Sequence, residues 1–248
     1  MKITVITVSY NSAATIRDTL NSVRDQTHPE VEHIIVDGAS RDDTRDIARQ
    51  YSHVNRVISE PDNGLYDAMN KGIRCATGAV IGILNSDDFY AHPNVLARVA
   101  AAFETQDTHA LYGDLKYVHP RAVHRTVRYW RSGSYQRDHF RFGWMPPHPT
   151  FFVRREFYEQ FGGYDLNFRT AADYELMLRF LYKHHLPATY LPEVLVHMRT
   201  GGVSNASLRR RWQANREDHR AWIKNGFRPS IYTMLLKPLR KIPQYWIK

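Results

Sequence analysis

ITVITVSYNSAATIRDTLNSVRDQTHPEVEHIIVDGAS, residues 3–40, decides the fold. Ile3–Val8 is an apolar run of strand length, Ala13–Arg24 is amphipathic at helical spacing, and Ile34–Val36 is apolar again. Further along come polar-rich Thr44–Tyr51, Val57–Ile58, Leu65–Cys75 and Val80–Leu84. Short apolar strands alternating with helices predict a parallel sheet covered on both faces. Asn11 or Ser12 is expected to cap the first helix, and Asp42 or Asp43 the second.

This is a Rossmann-like beginning. Open α/β sheets bind ligands beyond the carboxyl ends of their strands, so chemistry is expected at Ser9-Tyr10-Asn11, Asp37-Gly38-Ala39-Ser40 and Asn85-Ser86-Asp87-Asp88. After Pro93 the pattern turns α+β: a helix near Asn94–Glu104, then Leu111–Val118 and Val123–Trp130 as antiparallel strands. Trp144, Pro146, Pro147, His148 and Phe151 suggest a shaped surface or a loop over a site. Leu176, Met177, Phe180 and Leu181 predict a helix over Tyr174–Lys183, with Asp173 at its start.

Charge divides the chain of 248 residues. Residues 1–206 hold 23 Lys+Arg and 23 Asp+Glu, while residues 207–248 hold 11 Lys+Arg against Glu217 and Asp218. The net charge of +9 therefore sits in the tail, and a neutral body argues against a nucleic-acid partner. In the tail, Arg209–Arg211, Lys237, Arg240 and Lys241 interleave with Trp212, Trp222, Ile231, Tyr232, Leu235, Leu236, Leu239, Tyr245 and Trp246. That mixture reads as a basic amphipathic helical tail suited to an anionic membrane surface, or else as an appendage packed on the body. The lone Cys75, the absence of a long apolar run after Met1-Lys2-Ile3 and the lack of any spanning segment predict a cytoplasmic protein, peripheral on the inner face of the membrane. On size, residues 1–206 are expected to form one domain and 207–248 the tail.

The chain has neither a P-loop nor a G-x-G-x-x-G cradle. Asp87-Asp88, just after an apolar strand, has the hard-oxygen chemistry that holds Mg²⁺ or Mn²⁺ while leaving positions for substrate phosphates, although a solvated turn is the commoner fate of such pairs. Asp37 on the second strand suits either a nucleoside or its own turn, and Asp173 suits either a helix cap or a general base. Thirteen histidines include no H-E-x-x-H, so no zinc site is predicted.

Together, Thr7-Val8-Ser9-Tyr10-Asn11, Val36-Asp37-Gly38-Ala39-Ser40-Arg41-Asp42-Asp43-Thr44, Ser59–Gly72 (SEPDNGLYDAMNKG) and Leu84-Asn85-Ser86-Asp87-Asp88 resemble the family-2 glycosyltransferases with a GT-A fold, of the bacterial polysaccharide-biosynthesis type. Pro147–Arg155, Gly162-Gly163-Tyr164-Asp165 and Asp173–Arg179 are similar to that family's acceptor-side half, so the likeness covers roughly residues 2–205. It implies a GT-A domain over 1–206, with 1–92 the nucleotide-sugar-binding half and 93–206 the acceptor-side half. The residues it implies for nucleotide binding are Thr7, Ser9, Tyr10, Asp37, Asn70, Lys71, Ser86 and Asp87. Asp87 and Asp88 would hold Mn²⁺ or Mg²⁺, Asp173 would be the base, and His148 and Tyr174 would face the acceptor. The family's aspartate-any-aspartate signature is here Asn85-Ser86-Asp87, and Ala172 stands where many relatives have an acid. The implied activity is inverting transfer from a nucleotide sugar, UDP-linked by preference, to a hydroxyl of a glycan or lipid-linked acceptor in cell-envelope or exopolysaccharide synthesis. A non-catalytic nucleotide- or glycan-binding protein and a metal-dependent nucleotide-sugar hydrolase would use the same acids.

Overall fold

The computed structural model describes residues 1–105, 107–201, 208–230, 232, 233, 236, 237, 240 and 244, with backbone alone for 208–212. Strands β1 (Ile3–Ser9), β2 (Val31–Asp37), β3 (Val54–Ser59) and β4 (Val80–Ile83) lie side by side in the order 3-2-1-4, all parallel. Helices α1 (Ile16–Arg24), α2 (Thr44–Arg49) and α3 (Leu65–Cys75) connect them. This is the Rossmann-like half expected from the alternation, and its central strands are buried along their length. Neither predicted cap holds at α1: Thr15 is the N-cap residue, and Ser12 contributes only its carbonyl, to the Thr15 and Ile16 amides. At α2, Asp43 is the N-cap residue while the Asp42 carboxylate accepts the Thr44 amide.

The sheet continues through β8 (Phe152–Arg154), β6 (Ala110–Val118), β9 (Ala188–Arg199) and β5 (Phe89–Tyr90), with β7 (Thr126–Trp130) pairing only β6. Strand β8 is antiparallel to both β4 and β6, so β6 runs with β4, and β9 runs with β6. The carboxyl ends of β1, β2, β4, β6 and β9 therefore share one edge. Helices α4 (Val95–Thr105), α5 (Arg155–Phe161) and α6 (Ala172–Met177) cover the second half. The helix predicted over Tyr174–Lys183 begins two residues earlier as α6 and passes at Leu178 into a widened, π-type turn ending at Lys183. The segment from Trp144 to Phe151 is no surface flap: Trp144, Pro149, Thr150 and Phe151 are buried, and Trp144 Nε1 donates to the Ser132 carbonyl at 2.8 Å.

Helix α7 (Leu208–Lys224) packs on the body. Trp222, left between a membrane surface and packing on the body, is buried beside Tyr182 and donates to the Tyr174 hydroxyl at 2.8 Å. Glu217 Oε2 accepts the Thr170 and Ala171 amides and the Thr170 hydroxyl at 2.8–3.0 Å, closing the open amides ahead of α6. Burial raises the Glu217 carboxyl, but hydrogen bonds from Gln213 and Thr170 outweigh it and the net shift is downward. Beyond α7, Lys237 pairs Asp218 at 2.5 Å and lies over the Tyr174 ring. The domain boundary expected at residue 206 lies outside the described residues, as do Ile231, Leu235, Leu239, Lys241, Tyr245, Trp246 and the side chains of Arg209–Arg211 and Trp212. Among the described residues, no helix is long and apolar enough to cross a membrane.

Candidate active site

The loops after β1 and β2 are zipped together by side chains. Asp37 is fully buried at the end of β2, and its two oxygens accept from Ser9 (3.3 Å), Ser59 (2.8 Å), the Ser40 amide (3.0 Å) and the Ser40 hydroxyl. Asn11 and Ala39 both sit at positive φ, +49° and +58°, a conformation that side chains adopt at a cost of about 1–2 kcal/mol. The strain is held by Asn11 Oδ1 accepting the Arg41 amide and by Ser40 Oγ accepting the Asn11 amide. Gly38 packs closely here: a Cβ on it would lie 2.4 Å from Asp62 Oδ2 and 3.4 Å from the Tyr10 ring, so Asp62 would have to move aside. Gly38 thus lies beside Asp62 and the exposed Tyr10, at the carboxyl end of β2.

The loop after β4 carries the acids. Ser86 is buried and donates to Ser12 Oγ at 2.8 Å, tying this loop to the first. Asp88 is fully buried, its Oδ2 accepting from Asn85 Nδ2 at 3.3 Å. Asp88 Oδ1 and Asn85 Oδ1 are both buried without a hydrogen-bond partner. Burial and then the neighbouring Asp87 push the Asp88 carboxyl well above its ordinary value; burial also raises Asp87, against the opposing pull of Arg199 and His148. Two acids whose charge is disfavoured, beside two unpartnered oxygens, suit a divalent cation bound through hard oxygen ligands. Among the described residues no cluster of three His, Cys, Asp or Glu side chains stands ready to hold a metal, so the remaining ligands would come from substrate phosphates and water. Asp87 is the partly accessible member of the pair and Asp88 the enclosed one.

The acceptor-side half converges on the same edge. The 3-10 turn His148–Thr150 is bolted to β6 by Thr150 Oγ1, which meets both the Gly113 amide and its carbonyl. His148 is thereby held with its Nδ1 3.2 Å from Asp173 Oδ2. Asp173 sits in the first turn of α6, whose N-cap residue is Ala171, so its carboxylate caps nothing. Its other oxygen, Oδ1, accepts from the Tyr66 hydroxyl at 3.2 Å. Tyr66, in the first turn of α3, stacks on Tyr164 with ring centroids 5.4 Å apart. Burial, with Asp173 adding to it, raises the Tyr66 phenol well above its ordinary value, which keeps it a donor. Tyr164 is held in turn by Asn70, whose amide pairs both the NH and the carbonyl of Tyr164 at 2.8 Å. Arg179, bound to buried Glu175, reaches the carbonyls of Phe161, Gly162 and Gly163.

The sequence-derived residues thus fall into two groups. Ser9, Tyr10, Asp37, Ser86, Asp87, Asp88, His148 and Asp173 gather along the carboxyl edge. Thr7 does not: it is fully buried two residues back along β1, about 6–7 Å deeper by strand rise, and its hydroxyl meets His33 Nε2 at 3.0 Å. Tyr174 is core rather than acceptor-facing, its hydroxyl engaged by Trp222. Asn70 is consumed by Tyr164, and Lys71 pairs Glu60 at 2.9 Å and donates to the Pro61 carbonyl. Tyr66 and Arg199 were not singled out by sequence. Arg199 ties the site together, its Nη1 donating to the Asp87 carbonyl at 2.6 Å and its Nη2 to Asp18.

Residues 4–162 match the glycosyl transferase family 2 profile. A PGL/p-HBAD biosynthesis glycosyltransferase of Mycobacterium bovis (strain BCG / Pasteur 1173P2) is 32% identical over 207 residues, covering 81% of this chain and 78% of the relative. A putative teichuronic acid biosynthesis glycosyltransferase of Bacillus subtilis, TuaG, is 44% identical over 90 residues, 35% of this chain and 36% of the relative. Among solved structures, S. aureus TarS 1-349 in complex with UDP-GlcNAc superposes with a TM-score of 0.71 at 20% identity, over 91% of this chain and 65% of that one. The mannosyltransferase PcManGT from Pyrobaculum calidifontis, in complex with GDP-Man and Mn2+, superposes with a TM-score of 0.67 at 19% identity, over 98% and 69%. In another TarS structure this chain spans 40% of the polypeptide. At such identities the likeness is one of fold, and that fold is the GT-A architecture expected from the motifs. With the profile matching well over half of its length and a relative aligned across most of it, the chain belongs to glycosyltransferase family 2.

Proposed function

We propose that this glycosyltransferase moves a sugar from a UDP-sugar to a hydroxyl of a cell-envelope glycan or lipid-linked acceptor, with inversion, at the cytoplasmic face of a membrane. The observation that carries the reading is the Asp173 carboxylate, which caps no helix and is held by His148 at 3.2 Å and Tyr66 at 3.2 Å, on the same edge of the sheet as the Asp87–Asp88 loop. The relatives are named for PGL/p-HBAD and teichuronic acid biosynthesis, and a structural neighbour was solved with UDP-GlcNAc.

In this reading Tyr10, Asp62 and the Ser9–Asp37 network shape the nucleoside end of the donor pocket, and Lys71 and Ser86 support its walls. Asp87 and Asp88, with Asn85 beside them, would hold Mn²⁺ or Mg²⁺. The cation, when bound, neutralises charge on the departing diphosphate. Asp173 accepts the proton of the attacking hydroxyl, a contribution of about 10²–10⁴-fold in general-base catalysis. Tyr66 and His148 fix its two oxygens so that a lone pair faces the cleft, and His148 is placed to contact the acceptor as well. A single displacement from the face opposite the leaving diphosphate inverts the anomeric centre.

Thermal unfolding with UDP, GDP, CDP and dTDP, each with Mn²⁺ or Mg²⁺, tests the donor side. A nucleotide at 100 times its Kd stabilises by about 2.7 kcal/mol, or roughly 5–10 °C for a chain of this size. The expected result is a shift with UDP that needs the metal and disappears in Asp87→Ala. If no nucleotide shifts the wild type, the donor site is misassigned. Product analysis with and without a sugar acceptor separates transfer from hydrolysis.

A further inference from the structure

Charge is unevenly spread within the body. Residues 1–114 carry 10 Lys+Arg and 16 Asp+Glu, whereas residues 115–137 carry six Lys+Arg, two His and no acid at all. That stretch is the hairpin of β6 and β7 with the loop that follows. Arg128 is spent inside the hairpin, stacked 3.8 Å over Tyr117, and Arg137 lies 4.1 Å over Tyr182. Arg121, His124, Arg125 and Arg131 face solvent, and none of the four forms an ion pair among the described residues. Val127 stands exposed beside them.

The topology aims this cationic hairpin at the reaction. Strand β6 runs with β4, so the hairpin turn leaves the same edge of the sheet as the Asn85–Asp88 loop. Arg199, paired with Val118 in the register, donates from Nη1 to the Asp87 carbonyl at 2.6 Å and from Nε to the Pro120 carbonyl at 3.3 Å. One guanidinium therefore touches both the candidate metal loop and the hairpin turn. A turn with exposed arginines outside any ion pair and an exposed valine matches an anionic layer with an apolar interior.

We propose that the turn of the β6–β7 hairpin docks on anionic phospholipid headgroups and so sets the cleft at the membrane surface, where a lipid-linked hydroxyl is presented. This rests on reading the Asp87 loop as the donor site. It assigns the membrane contact to the body, whereas α7 turns Trp222, Glu217 and Asp218 inward.

Sedimentation of the full chain with vesicles of equimolar phosphatidylglycerol and phosphatidylcholine, against phosphatidylcholine alone, tests the proposal. Each cation at an anionic surface strengthens binding about fivefold, so Arg121→Gln with Arg125→Gln should weaken it about 25-fold, and the Glu pair further. Arg56→Glu with Lys183→Glu, exposed positions elsewhere with the same charge change as the Arg→Glu pair, should cost far less. The proposal is overturned if the wild type does not prefer the anionic vesicles, if the hairpin variants bind as well as the wild type, or if the control pair loses as much as the Glu pair. It is also overturned if the hairpin variants keep vesicle binding but lose turnover of a soluble acceptor, which would make the arginines acceptor ligands. Stabilisation by nucleotide and metal without vesicles reads the donor site separately, so failure of that site and failure of the docking surface are told apart.

Discussion

Replacing Tyr66 by Phe removes one oxygen and leaves the ring stacked on Tyr164. The lost group is the donor to Asp173 Oδ1, one of the two contacts that fix the carboxylate, the other being His148 Nδ1 on Oδ2. A hydrogen bond to a charged group contributes about 1.5–3 kcal/mol, so if the whole of it serves to orient the base, kcat/KM falls by about 10- to 100-fold. Folding should hardly change, because Phe leaves no new buried polar atom of its own and Asp173 keeps His148. The measurement is UDP release under acceptor-dependent turnover, paired with nucleotide affinity by thermal shift. The expected pattern is a loss confined to turnover, with affinity for UDP and metal intact and a melting temperature close to wild type. Unchanged turnover would show that Tyr66 does not position the base. Equal loss of nucleotide affinity would show that it acts through the start of α3 instead.

Asp88→Asn should raise the melting temperature in chelator at neutral pH, because it removes a buried charge that has one oxygen unpartnered, and the new amide meets the unpartnered Asn85 Oδ1. The folded carboxyl lies above its unfolded value, so wild-type stability falls as pH rises through that range, and the advantage of the variant should shrink on acidification; an advantage that grows in acid would refute the assignment. Glu32→Gln should do the opposite at the other edge of the sheet. Burial raises that carboxyl, but Thr4, the Thr77 amide and hydroxyl, and Lys2 together bring it down to about 2. Its contribution is therefore full above the ordinary carboxylate range and lost as pH falls toward about 2, so the variant should be destabilised by about 1–2 kcal/mol at neutral pH and match the wild type in strong acid, as thermal unfolding across pH will show.

What could be read from the sequence was local. The alternation from Ile3 to Leu84 places acids at strand ends, and strand ends are where Asp37 and Asp87 stand. Depth was not legible: Thr7 and Ser9 point to the same face of β1, but only the later residue reaches the rim, and the Thr7 hydroxyl meets His33 inside. Asp37 has the right place for a nucleoside contact, yet no pattern could show that serines 9, 40 and 59 already fill both of its oxygens. Tyr66 could not be picked out, because its partner lies 107 residues away and a tyrosine at a helix start reads as packing. The tail was left between two readings for a related reason. Interleaved basic and aromatic residues look alike on a membrane and on a protein, and only the burial of Trp222 against Tyr182 distinguishes them.

The contact between Glu217 and the amides of Thr170 and Ala171 spans 46 to 47 residues. On the ribosome, at about 5–20 residues per second, the segment bearing Asp173 is made several seconds before the side chain that closes its leading turn. During that interval Thr170 and Ala171 have only water to satisfy them, and Tyr174 lacks Trp222. The nucleotide half waits as well, because β4 pairs with β8 and the Asp87 loop is tied by Arg199, but its four parallel strands pair among the first 83 residues. The brace on the segment bearing Asp173 is thereby among the last parts of the domain to be made, and synthesis must pass Trp222 before that segment is closed.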